Sequence, residues 1–186
     1  VLGFIRDMLI AAVIGAGPVA DAFFVAFRLP NLFRALFAEG AFSAAFVPLF
    51  AKKVEADGEA RAVAFAEQAL SVLLGALLLF LIAFELAMPL FIYVIAPGFA
   101  DQPEQVALAV ELARITFPYL LFISLVSLMG GILNSLGRFA AAAATPILLN
   151  LAMIAAALAL VPFTPTAGHA LAWGVAAAGA VQFLWL

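Results

Sequence analysis

The chain has 186 residues, 68% of them hydrophobic and only 10% charged, with a mean hydropathy of +1.26. A soluble domain is about half apolar and a quarter charged, so this composition excludes one and points to a membrane. A net charge of −3 gives no reason to expect a nucleic-acid partner, and the absence of cysteine excludes disulfides, thiolate metal sites and a cysteine nucleophile.

Hydropathy predicts an all-α, polytopic membrane bundle of about six spans, over residues 1–15, 20–50, 69–96, 106–133, 140–160 and 170–186. The first, VLGFIRDMLIAAVIG, would rise only about 22 Å as a helix, short of the roughly 30 Å hydrocarbon core. It begins at Val1 inside an apolar pattern, and the chain stops at Leu186 inside another, which reads as a piece of a longer chain. Arg6-Asp7 within the opening run argues against a signal peptide. The second run, residues 20–50, would be about 46 Å long as one helix, so a break is expected near Pro30 or Gly40, with Pro48 a further candidate.

AKKVEADGEAR, residues 51–61, is the one strongly polar linker; APGFADQPEQ ends the third span, and the fourth holds Pro118. NSLGRF, residues 134–139, turns into the fifth span, and VPFTPTAGH leads to the sixth. Lys52, Lys53, Arg61 and Arg138 all fall in alternate connections, so 51–61 and 134–139 are expected to be cytoplasmic, together with the N-terminus.

Charges inside these spans carry the functional signal, because each costs at least about 2.5–3.5 kcal/mol near the bilayer centre. Arg6 and Asp7 lie in the first span, and Arg28 and Arg34 in the second. On an ideal helix with Arg28 at zero, Asp21 and Glu39 fall near +20°, Asn31 near −60° and Arg34 near −120°, all within an arc of about 140°. Three readings stand side by side: arginines snorkelling to the interface, ion pairs such as Arg6–Asp7 or Arg34–Glu39, and a wet cavity that binds an anion. The third is preferred because it accounts for two arginines and Asn31 on one face.

Elsewhere, Glu85 sits near mid-membrane, either as a proton or cation site or, preferably, as an acid in the helix packing. Glu111 and Arg114 have i,i+3 spacing and read as a structural pair. Asn134 and Asn150 read as interhelical contacts, His169 as an exposed loop residue, and Tyr93, Trp173 and Trp185 as interface anchors. No HExxH, phosphate-cradling GxxxxGK or Ser/His/Asp grouping is present, so neither an enzyme nor a metal site is expected. A kinked polar helix in a bundle reads instead as a transport pathway.

Residues 1–51, VLGFIRDMLIAAVIGAGPVADAFFVAFRLPNLFRALFAEGAFSAAFVPLFA, resemble the N-terminal signature of the bacterial lipid II flippase family, MurJ or MviN. The resemblance continues through APGFA, RITFPYLLFISLVSLMGGILNSLGRF and ATPILLNLAMI, and so runs along essentially the whole chain. It implies the multidrug/oligosaccharidyl-lipid/polysaccharide exporter superfamily, with a V-shaped, MATE-like fold of which this chain forms most of the N-terminal lobe. It further implies the cytoplasmic (inner) membrane, and transfer of lipid II, an undecaprenyl-pyrophosphate-linked disaccharide-pentapeptide, to the outer leaflet by alternating access.

By matching motif, the resemblance marks Arg6 and Arg34 as cavity arginines for the pyrophosphate, with Asn31 and, less closely, Arg28 beside them. Asp7, Asp21 and Glu39 match gating or structurally sensitive positions. Relatives commonly carry a second arginine where this chain has Ala35, and a Ser-Arg pair just ahead of Val1. No cofactor is implied; the drive would be the membrane potential or an ion gradient, with any cation site outside these residues. Expected partners are lipid II, membrane lipids and cell-wall synthesis or division proteins. The rival readings are an exporter of another lipid-linked saccharide or a drug, and a membrane scaffold for cell-wall synthesis.

Overall fold

A computed structural model describes the backbone of residues 1–37 and 41–186 and the side chains of residues 1–35 and 44–186. Glu39 and the candidate break at Gly40 lie outside the described residues. The described chain is helical throughout: α1 (Leu2–Ile14), α2 (Pro18–Phe37), α3 (Ala41–Asp57), α4 (Glu59–Ile95), α5 (Pro103–Thr116), α6 (Tyr119–Ser135), α7 (Phe139–Ala159) and α8 (Ala167–Trp185). Short 3₁₀ turns at Pro97–Phe99 and Val161–Phe163 lead into α5 and α8.

Four stretches among the described residues are long and apolar enough to cross a membrane: Glu59–Ile95, Pro103–Ser135, Phe139–Ala159 and Ala167–Trp185. The first two sequence spans fall short of that standard for physical reasons. Helix α1 has only 13 residues, and α2 carries Asp21, Arg28 and Arg34 within 20. Helix α4 turns Val72, Leu79, Leu86 and Tyr93 outward at seven-residue spacing, a half-exposed to exposed apolar stripe suited to lipid.

The polar stretch 51–61, expected as a loop, is helical on both sides of Gly58. Its Ala, Glu, Lys and Arg residues are strong helix formers, so polarity alone does not interrupt the chain. Gly58 does, at φ 84°, a conformation that residues with a Cβ rarely adopt. Helix α4 accordingly runs for 37 residues and starts ten positions ahead of the expected span.

Proline positions show how the backbone is kept satisfied. Helix α2 continues through Pro30, which has no N–H to give to the carbonyl of Ala26. The buried Thr116 hydroxyl approaches that carbonyl at 3.4 Å while also lying 3.1 Å from Ala113 O on its own helix. In α7 the same problem arises at Pro146, and Thr145 Oγ1 donates to the orphaned Ala142 carbonyl at 2.9 Å. At Pro118 the helix is interrupted, leaving α5 and α6 joined through Phe117 and Pro118.

Two clusters hold the bundle together. The larger joins α2, α4, α5, α6, α7 and α8 around Phe23, Met88, Ile92, Leu112, Phe117 and Leu171. The smaller gathers α3, α4 and α6 around Phe46, Phe50, Leu77 and Leu128. Because lipid tails are as apolar as leucine, this close packing stabilises mainly through van der Waals contact. Helices α7 and α8 approach closely, and a Cβ on Gly174 would lie 2.5 Å from Ala156 Cβ.

Candidate functional site: a cavity lined by two helices' arginines

Phe33 explains how α2 presents its polar residues. Its ring meets Phe80, Phe84 and Phe117 edge-on at centroid distances of 5.0, 4.8 and 6.0 Å, fixing α2 against α4 and the α5–α6 junction. The next residue, Arg34, is turned about 100° away and lines a cavity of about 730 Å³. Asn31, one turn earlier, lines it too, with its Nδ2 donating to Phe27 O at 3.1 Å.

Helix α1 brings Arg6 to the same cavity from the other side of the Gly15–Gly17 turn. Tyr119, Ser127 and Asn134 of α6, Thr145 of α7 and Gln182 of α8 complete the polar part of the described wall. Arg6 and Arg34 are the charged side chains among the described lining residues, and no carboxylate is among them. Low-dielectric walls strengthen the pull of such groups on an anion.

Asp7 lies just outside. Arg6 donates from Nε and Nη2 to Asp7 Oδ1 at 2.9 and 2.8 Å, and Asp7 itself is 65% exposed. A guanidinium has five N–H groups, so this pair uses two and leaves three. The ion-pair and cavity readings of Arg6 are therefore compatible. Both residues also border a second, more apolar cavity of about 380 Å³ between α1, α2 and α7.

The polar arc expected along α2 divides. Asn31 and Arg34 face the large cavity, whereas Asp21 and Arg28 are exposed and are not among its lining residues. Ideal geometry separates Arg28 from Arg34 by about 120°, and the face between Asp21 and Leu29 is taken up by the buried Ala22, Phe23, Ala26 and Leu29.

Other expectations need correction. His169 is not a loop residue: Thr166 caps α8 and places His169 in its first turn, buried, with Nδ1 2.8 Å from Thr166 Oγ1 and Nε2 3.2 Å from Glu111 Oε1. Glu111 and Arg114 reach to different neighbours because α5 packs against both α4 and α8. Glu111 meets His169, while Arg114 Nε lies 4.0 Å from Glu85 Oε2. Asn150 donates to Pro146 O in its own helix at 2.8 Å rather than across helices. Trp185 Nε1 donates to Ala141 O at 3.1 Å.

Sequence reading missed Tyr119, Ser127, Thr145 and Gln182 as wall residues. Gln182 gave the clearest available signal, a lone amide inside the apolar run VAAAGAVQFLWL.

A family model described as "Lipid II flippase MurJ" matches residues 10–186. Among curated proteins, a probable lipid II flippase MurJ of Rhizobium tropici is 53% identical over 98% of this chain and 35% of its own length. The lipid II flippase MurJ of Burkholderia cenocepacia is 41% identical over 99% of this chain and 36% of its own length. The chain thus spans about a third of the length of these relatives. Among solved structures, "Lipid II flippase MurJ, inward closed conformation" superposes with a TM-score of 0.79 at 27% identity, over 98% of this chain and 38% of that one.

Proposed function

The chain belongs to the MurJ family of lipid II flippases, and we propose that it forms the N-terminal lobe of such a flippase, moving lipid II between leaflets of the bacterial cytoplasmic membrane. One observation carries this reading: Arg6, Asn31 and Arg34, from two different helices, border one cavity.

Planar guanidinium groups match the paired oxygens of a phosphate, and two of them suit a pyrophosphate better than one. Asn31 contributes a neutral polar edge beside Arg34. Arg28, exposed elsewhere on α2, acts outside this contact. Asp7 orients Arg6 and limits its freedom, which keeps three donors aimed at a fixed place.

The placement of the two arginines on different helices suits alternating access. Helix α1 has no fully buried residue and is joined to α2 by a glycine-containing turn, so α1 can shift relative to α2 and alter the Arg6–Arg34 separation. Closing the two together around the anion, then parting them toward the other leaflet, would move the headgroup. The drive lies in the membrane potential, worth about 2.3 kcal/mol per charge per 100 mV, or in an ion gradient whose site lies elsewhere in the full-length protein. The N-terminus and the connections at 51–61 and 134–139 face the cytoplasm in this account.

The test uses full-length flippase in cells depleted of their native one. Arg6→Ala and Arg34→Ala, each alone, should leave lipid II in the inner leaflet while the protein still reaches the membrane. Normal outer-leaflet lipid II in both variants overturns the proposal.

A further inference from the structure

The cavity wall contains one side chain whose hydrogen bonding is half complete. Gln182 is 2% exposed and borders the cavity from α8. Its Nε2 donates to Thr145 O at 2.8 Å, in the turn of α7 where Pro146 breaks the regular backbone bonding. That bond fixes which end of the amide is which, since a carbonyl accepts only from the nitrogen. The other end, Oε1, is buried and has no hydrogen-bond partner among the described residues. A buried acceptor left unpaired is costly, and such atoms are rare.

We infer that Gln182 is a specificity-determining residue of the cavity, its amide oxygen accepting from an uncharged O–H or N–H group on the molecule whose anionic part Arg6 and Arg34 hold. Donor and acceptor chemistry separates the two roles. Guanidinium groups only donate, so they take phosphate oxygens. An amide oxygen only accepts, so it repels those oxygens and requires a donor, such as a sugar hydroxyl, a sugar acetamido N–H or a peptide N–H. Asn134 and Thr145 add further uncharged polar side chains to the lining. A site with both kinds of group discriminates between a bare lipid pyrophosphate and one carrying a hydrogen-bonding headgroup. A site built to bond such a donor penalises the analogue lacking it, because its own polar group is then left unpaired.

This inference rests on the pyrophosphate reading of the arginines, and the experiment separates the two. Full-length flippase, with Gln182→Met or Arg34→Ala, is titrated with three probes: undecaprenyl pyrophosphate, the same lipid carrying the disaccharide alone, and lipid II. Gln182→Met should weaken a headgroup-bearing probe about tenfold, the scale of one hydrogen bond, and leave undecaprenyl pyrophosphate unchanged. Loss on the disaccharide probe puts the donor on the sugar; loss only on lipid II puts it on the peptide. Arg34→Ala should weaken all three probes. Equal loss on all three in Gln182→Met, which a merely structural role predicts, or no loss on any, overturns the inference. If Arg34→Ala weakens none, the pyrophosphate reading fails whatever Gln182 does. Gln182→Asn, which keeps the amide but draws it back by one methylene, should repeat the selective loss if Gln182→Met proves unstable.

Discussion

The hydroxyl of Thr116 lies 3.4 Å from the carbonyl of Ala26, the acceptor that Pro30 leaves without its usual backbone donor. The contact crosses from α5 to α2 at a wholly buried position, so a proline in one helix is matched by a threonine 86 residues later, the difference between 116 and 30. Thr116→Val should therefore destabilise the protein by roughly 1–3 kcal/mol, the cost of an unsatisfied buried carbonyl. In a Pro30→Ala background the restored N–H takes over, and the same substitution should cost much less. Thermal unfolding of the four proteins of this cycle in detergent measures the coupling.

Arg28 and Arg34 are about one and two-thirds turns apart on α2, yet of the two only Arg34 borders the large cavity. Arg28→Ala should change lipid II binding by less than about twofold, whereas Arg34→Ala should weaken it by roughly 10–100-fold, the range for a charge-assisted hydrogen bond. Arg34→Lys keeps the charge but loses the planar fork and should recover only part of the binding. Titration of the full-length variants with lipid II checks the order.

Gly174 lets α7 and α8 approach. A methyl group there would meet Ala156 Cβ at 2.5 Å, so Gly174→Ala should lower stability by about 1–3 kcal/mol through overpacking. Ala156→Gly in the same chain should return most of it. Melting temperatures of the single and double variants decide the matter.

Glu85 and Arg114 face each other at 4.0 Å between α4 and α5. If their role is packing, Arg114→Leu alone should destabilise, because it leaves a carboxylate unpaired, while Glu85→Leu with Arg114→Leu should lie close to the parent. Transport should survive in the double variant. Loss of transport in a stable Glu85→Gln protein would instead show that the acid takes part in transport.

What was legible in the sequence was whatever a membrane makes expensive. Charges at Arg6 and Arg34 stand out because an apolar span tolerates them poorly, and their convergence on one cavity follows from helix geometry and a tight turn. Helix identity was legible from hydropathy, although the helical character of residues 51–61 was masked by their polarity. What stayed hidden depends on contacts between distant residues. Gln182 is a single amide until its bond to Thr145 is seen, and Glu111 comes within 3.2 Å of His169 only once α5 and α8 are packed together. The separation of Arg28 from Arg34 likewise required knowing which face of α2 its neighbours bury.

If Arg6 and Arg34 hold a pyrophosphate, lipid binding by the full-length flippase must depend on it, so undecaprenyl pyrophosphate is compared with phosphate-free undecaprenol in the parent and in Arg6→Ala and Arg34→Ala. The parent should prefer the pyrophosphate lipid strongly, and each substitution should remove most of that preference while leaving undecaprenol binding unchanged. Equal binding of the two lipids by the parent, or an undiminished preference in both variants, would contradict the account.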